Sequence, residues 1–369
     1  MKKILLSIVF FFLFSSVGYA GPCLTTIASA STNQLACADD DILNVTSAGS
    51  ITYSDNKAVD LEDISGVQIT NDGTIQTESG TNKQIAINAE SSLNTTITNN
   101  GTINSDNKYG VILSYAENVV ITNNAGATIS ADGNTAIYGK NVGNCHFNGT
   151  NCHSDLSGQS NGVGLTLHNH GTITSQHETV WLGSGSSGAH RSKGIKIYNY
   201  DGGIIKTTDE GDSPIKGFHL VDFEIINYKG ATIESADRHV VNTEQSEDIN
   251  FTNNGTMTAT SKSAFYCKTC SDVTFNNTGT MTSGNNAVVI SNGDNISITN
   301  SGTITATADN SGLNISSSDG TVVTNTGTIS GVDHGMQSSN VDNSTITNHG
   351  TISASSNSGY GLVYENDGT

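Results

Sequence analysis

Apolar and polar residues alternate with a period of two along most of the chain, in short runs that end at glycine or asparagine. One phrase, Ile-Thr-Asn-x-Gly-Thr-Ile, carries the pattern. It stands at Ile69–Ile75, Ile97–Ile103, Ile298–Ile304 and Ile346–Ile352. Leu167–Ile173, Phe251–Met257, Phe275–Met281 and Val323–Ile329 repeat it with apolar swaps, Ile121–Ile129, Ile197–Ile205 and Ile225–Ile233 are stretched copies, and Val45–Ile51 is a worn first copy. A second alternating phrase falls between them, as in Val59-Asp60-Leu61, Val111-Ile112-Leu113, Val180-Trp181-Leu182 and Val288-Val289-Ile290. Period-two runs broken by Gly/Asn turns predict strands, about three to each repeat.

The phrase glycines stand at 49, 73, 101, 126, 171, 202, 230, 255, 279, 302, 327 and 350. Most steps lie near 25 residues, too few to bury an apolar face alone but enough when each repeat stacks on the next. The expected fold is all-β, a right-handed parallel β-helix of about twelve three-stranded coils over residues 44–369, with 21–43 as an N-terminal cap. On the inward parity of the first phrase stand Asn71, Asn99, Asn123, Asn169, Asn199, Asn227, Asn253, Asn277, Asn300, Asn325 and Asn348. A buried amide is costly unless paired. Stacked one coil apart, each amide donates to one copy and accepts from the other, so the column reads as a structural ladder.

Composition narrows the class. The chain has 40 Gly, 46 Thr, 42 Asn and 2 Pro in 369 residues, which excludes collagen-like and helical-bundle folds. Its net charge of −19 disfavours nucleic acid and anionic membrane as partners. Residues 1–20 read as a signal peptide: Lys2 and Lys3, an apolar stretch from Ile4 to Phe14, then small residues before Gly21. Six cysteines in an exported chain read as disulfides, in three local pairs: Cys23 with Cys37, Cys145 with Cys152, and Cys267 with Cys270.

A signal peptide followed by tandem Ile-Thr-Asn-x-Gly-Thr-Ile coils resembles the passenger region of autotransporter (type V secreted) proteins of Gram-negative bacteria, over residues 1–369. The resemblance implies export through the inner membrane and a place at the cell surface (outer membrane) or outside the cell. It also implies adhesion to a host or neighbour-cell surface protein or glycan, and a C-terminal β-barrel translocator in the full-length protein. Gly361–Thr369 align with the stretch from Gly312, so the last coil reads as cut short.

No motif asks for a cofactor or a resident metal. Gly183-Ser184-Gly185-Ser186-Ser187-Gly188 fits GxGxxG without a following helix, and Gly211-Asp212-Ser213-Pro214 lies in a turn. A polysaccharide lyase or glycoside hydrolase is the competing reading, because such enzymes set carboxylates beside Arg or Lys on one strand face of a β-helix. The outward positions of the second phrase read as Asp60, Asn88, Ile112, Tyr138, Trp181, His219, Val241, Tyr266, Val289, Asn314 and Gln337, with one carboxylate among them. A non-catalytic role, as an adhesin or a structural stalk, is therefore preferred.

The glycine steps of 45 and 31 residues place loop insertions at 141–162 and 183–193. Loops on a rigid scaffold carry function. The first holds Cys145, His146, Cys152 and His153, read as a disulfide-stiffened loop or, alternatively, a zinc site. The second holds His190 and Arg191. With Tyr138 and Trp181 beneath, these residues form the expected partner-binding patch.

Overall fold

The computed structural model describes residues 21–23, 25–78, 84–143, 146–147, 152–153, 163–184, 191–209 and 211–365. The segment read as a signal peptide lies outside them, as do Cys145, His190 and most of both loop insertions. The described residues form no helix. They wind into a right-handed parallel β-helix of about twelve turns, with one small antiparallel hairpin.

Each coil has three strands. The asparagine strand carries Ile-Thr-Asn (Gln68–Asn71 in one coil), the threonine strand follows the glycine turn (Thr74–Thr77), and the lateral strand carries the second phrase (Ile85–Asn88). The asparagine and lateral strands join in one continuous hydrogen-bonded sheet, and the threonine strands stack in the other. Register is set by the repeat. Ile69 lies opposite Ile97, which lies opposite Ile121, and Ile75, Ile103 and Ile129 align likewise. Within 21–45 the same order holds, since Thr25–Ile27 pairs with Leu43–Val45 and Ala30–Ser31 with Ser50–Ile51.

Inside the coils the two apolar columns are buried to the end of the rod, and partial exposure begins only at Ile346 and Ile352. Each buried Ile or Phe contributes roughly 1.5–3 kcal/mol of transfer free energy. Phe251, Phe265 and Phe275 fill one stretch as a cluster with ring centroids 4.7–5.2 Å apart.

The asparagine column is a continuous hydrogen-bonded chain. Asn71 Nδ2 donates to Asn99 Oδ1 at 2.8 Å, Asn99 to Asn123 at 2.9 Å, and the relay runs through Asn169, Asn199, Asn227, Asn253, Asn277, Asn300 and Asn325 to Asn348. The same Nδ2 groups also donate to a backbone carbonyl one coil on, as Asn199 does to Thr232 O at 3.0 Å. At the N-terminal end Val45 stands opposite Asn71, so Asn71 Oδ1 is buried without a partner.

The corner from lateral to asparagine strand takes pairs of residues in the left-handed region, such as Gln245 and Asp248, Thr269 and Asp272, or Asn292 and Asn295. Asn and Asp dominate these corners because their short polar side chains tolerate positive φ. Disulfides join Cys23 to Cys37 and Cys267 to Cys270. The Cys145–Cys152 pairing lies outside the described residues.

Candidate functional site: a groove on the lateral face

Stacking brings every lateral strand into register, so one outward position recurs as a column. It runs Asp60, Asn88, Ile112, Tyr138, Trp181, Lys216, Asn242, Tyr266, Val289, Asn314 and Gln337. Two positions differ from the sequence reading. Lys216 stands where His219 was expected, and Asn242 where Val241 was. The strand is Ile215–Phe218, which leaves His219 at the corner with φ of 53°, and Val241 opens its strand facing the core. A one-residue slip moves a side chain to the other face.

Tyr138 stacks on Trp181 with centroids 4.8 Å apart and planes 8° apart, and on its other side Tyr109 stacks at 4.7 Å. The coil spacing of about 4.8 Å makes such face-to-face piling natural, and each pair adds about 0.5–1.5 kcal/mol. Lys108 Nζ lies 5.1 Å from the Tyr109 ring centroid, and Lys216 follows Trp181 in the column. The rings spend their shared faces on one another and Tyr109 meets Lys108, while the Lys216 ammonium turns to Phe218 at 5.8 Å.

Beside the stack runs a groove of about 460 Å³, lined among others by Lys57, Asn88, Glu90, Lys108, Tyr109, Tyr115, Tyr138 and Lys140. Polar groups hold its floor. Asn88 Nδ2 donates to Asp60 Oδ1 at 2.8 Å, and Lys57 Nζ pairs with Asp60 at 3.3 Å and with Glu62. Burial, then the nearby Glu62 carboxylate, pushes the Glu90 carboxyl above its ordinary range. Burial likewise pushes Tyr109 up to about 12, and burial followed by Glu90 and Glu178 raises Tyr138. Both phenols stay protonated donors at neutral pH. Beyond Trp181 a second charged cluster closes the face: Lys216 Nζ bonds Glu178 at 2.7 Å and Asp212 at 3.3 Å, and His177 Nδ1 meets Asp212 at 3.2 Å. The groove thus sets ammonium and phenol donors beside carboxylate acceptors, as a polyhydroxyl ligand requires.

Of the residues expected at a partner-binding patch, Tyr138 and Trp181 come together here. Arg191 does not join them; its guanidinium pairs with Glu247 and lines a separate pocket with His219 and Gln245. His146 and His153 face each other in the backbone register of the small hairpin, but their side chains lie outside the described residues, as does His190. The zinc alternative, which needs Cys145, therefore lies outside them too. Among the described residues one metal-like grouping occurs, Cys23 and Cys37 with Asp41, and its two sulfurs are spent on each other.

Sequence reasoning missed Lys57, Glu90, Lys108, Tyr109 and Lys140. A signal was there: among the described residues, Lys57, Lys108 and Lys140 are all the lysines and arginines before Arg191, and each borders a lateral strand. Glu90 lies just past the end of its lateral strand and Tyr109 opens its own, outside the column of Asn88 and Ile112, and the alternation of apolar residues does not mark them.

Tyr266 stands apart from the trio and stacks instead on His239 at 4.3 Å. His239 Nδ1 accepts from the Ser263 backbone N–H at 3.2 Å. Burial, then Lys262 and Arg238, lowers the imidazole pKa to about 4. A histidine whose folded pKa is depressed contributes stability that is intact above its unfolded pKa, near 6.5, and is lost as pH falls towards 4. Between pH 7 and 4, wild type is expected to lose on the order of 2–3 kcal/mol more than His239→Asn. Urea unfolding at both pH values measures the difference, and parallel losses would contradict it.

The chain matches no family model, no curated protein and no solved structure.

Proposed function

We propose that this chain is an exported, non-catalytic β-helical rod, displayed at the cell surface as an autotransporter-type passenger, that holds a glycan of a host or neighbouring cell in the lateral groove. One observation carries this reading. On a rod whose outward positions are mostly Thr, Asn and Ser, a single cavity gathers Lys57, Lys108, Lys140, Asn88, Glu90 and the edges of stacked aromatic rings. A protein partner is the less fitting occupant, because the groove is polar and its rings present edges instead of an apolar anchor site. The rod supplies reach, and a C-terminal β-barrel in a longer protein supplies the anchor.

The raised Glu90 carboxyl favours one second reading, a polysaccharide-degrading enzyme with Glu90 as general acid. Incubating purified protein with arrayed cell-surface glycans separates the two. The binding reading expects retention of a glycan that weakens at least tenfold in the double variant Tyr138→Ala, Lys140→Glu, with no new reducing or unsaturated ends. Turnover abolished by Glu90→Gln would establish the enzyme, and absence of any glycan binding would remove both.

A further inference from the structure

The repeat is its own control for the asparagine-strand face. At the position after each ladder asparagine, most coils place a short polar residue: Asp72, Asn100, Asn124, Asn254, Thr278, Ser301 and Thr326. Three successive coils break this rule with His170, Tyr200 and Tyr228, and the last described coil breaks it alone with His349. The three rings form one flat stack, His170 on Tyr200 at 4.2 Å and 4°, Tyr200 on Tyr228 at 4.8 Å and 7°. Neighbouring rings brace it: His168 Nδ1 meets Tyr200 Oη at 2.9 Å, and Tyr198 Oη donates to Glu224 Oε2 at 2.7 Å.

The stack ends in a step. Asn253 pairs with Asn227, so the residue one coil above Tyr228 is Asn254, a side chain too short to cover a phenol ring. The floor of the step is Asn250, Thr252 and Asn254, all at least partly exposed. Asn254 Oδ1 accepts from Thr278 Oγ1 at 2.7 Å, which orients its amide donor, and Glu224 offers a carboxylate acceptor held by Tyr198. The lateral stack differs at its Tyr109 end, where the Lys108 ammonium lies 5.1 Å from the ring centroid.

We infer that this step is a second binding site, for an uncharged saccharide. A pyranose has an apolar C–H face that fits a ring plane and an equatorial belt of hydroxyls that needs paired donors and acceptors. The Tyr228 ring supplies the plane, Asn254 supplies a donor, and Glu224, held by Tyr198 and met by Asn250 Nδ2 at 3.5 Å, supplies the acceptor. A single sugar on such a shelf binds weakly, and a chain that also meets Thr252 and the neighbouring coil binds more tightly. The site lies on a different strand column from the lateral groove, so the rod engages glycan on two faces, and linked sites raise avidity without new contacts.

The test uses the full chain and three uncharged probes, cellohexaose, maltohexaose and chitohexaose, titrated by calorimetry at low and high salt. The expected result is salt-independent binding of at least one probe at sub-millimolar Kd, weakened tenfold or more by Tyr228→Ala. Asn254→Tyr is the decisive variant: it extends the stack by one ring, preserves the fold and covers the open face, so it too is expected to abolish binding. Lys268→Ala, exposed and outside both sites, is expected to leave it unchanged, and array-glycan retention in Tyr138→Ala, Lys140→Glu reports the lateral groove separately, which keeps failure of this site distinct from failure of the other. No binding of any probe at millimolar concentration overturns the inference. So does binding that survives both Tyr228→Ala and Asn254→Tyr.

Discussion

Replacing Asn199 by leucine is expected to cost about 3 kcal/mol or more. Asn199 accepts from Asn169 Nδ2 at 2.8 Å and donates to Asn227 Oδ1 at 2.9 Å, and it is fully buried. Leucine matches the volume but orphans a donor below and an acceptor above, and each unsatisfied buried group costs about 1–3 kcal/mol. Asn169 Nδ2 keeps bonds to Gly171 O and Ile204 O, which limits its share of the loss. The control is Asn348, exposed in the last described coil, where the contact from Asn325 and two local bonds with Gly350 are interrupted within reach of solvent. There the same change is expected to cost under about 1 kcal/mol. Guanidinium unfolding of the two variants measures the gradient; equal costs would mean that the ladder does not work as a buried relay.

Gly279→Ala is the second large effect. A Cβ at Gly279 falls 2.2 Å from the Gly255 carbonyl oxygen, and the same contact recurs up the column, at 2.2 Å for Gly302 on Gly279 and again for Gly327 on Gly302. The obstacle is backbone of the coil below, which cannot swing aside without spreading the coils, so overpacking of about 3 kcal/mol is expected. Gly126 isolates the other role of glycine. Its φ is +82° and a Cβ there meets nothing within 4 Å. Gly126→Ala therefore costs only the left-handed conformation, roughly 1 kcal/mol. Comparable losses at the two positions would show that close approach is not what the column requires.

The fold was legible because a solenoid writes its contacts into its period. Ile69 meets Ile97 for the same reason that the two share a phrase, so a column in the alignment of repeats is a column in space. The asparagine spacing carries register in the same way. The lateral face was read less well, for a physical reason. Between Gly202 and Gly230 the phrase is irregular, and a strand placed three residues late turned His219 outward in the reading and hid Lys216. Charge partners were out of reach altogether. Lys216 meets Glu178, which precedes it by 38 positions, and nothing in the alternation of apolar residues marks that pair. The stacking of Tyr109 on Tyr138 was not legible because the register places Tyr109 opposite Thr135 and Tyr138 opposite Ile112, so the two rings meet diagonally across the strands. The step at Tyr228 was visible as a break in the repeat, yet it becomes a surface only once the coils are stacked.

Hydroxyl-radical footprinting of the protein with and without its best-binding array glycan tests the central claim most directly, since it reports side chains and not backbone. Tyr109, Tyr138 and Trp181 line or border the groove, whereas Tyr360 and Tyr364 are exposed in the last described coil. The account expects several-fold slower oxidation of the first three on glycan binding and no change at the other two. Protection absent from Tyr109, Tyr138 and Trp181 while the glycan remains bound would contradict it.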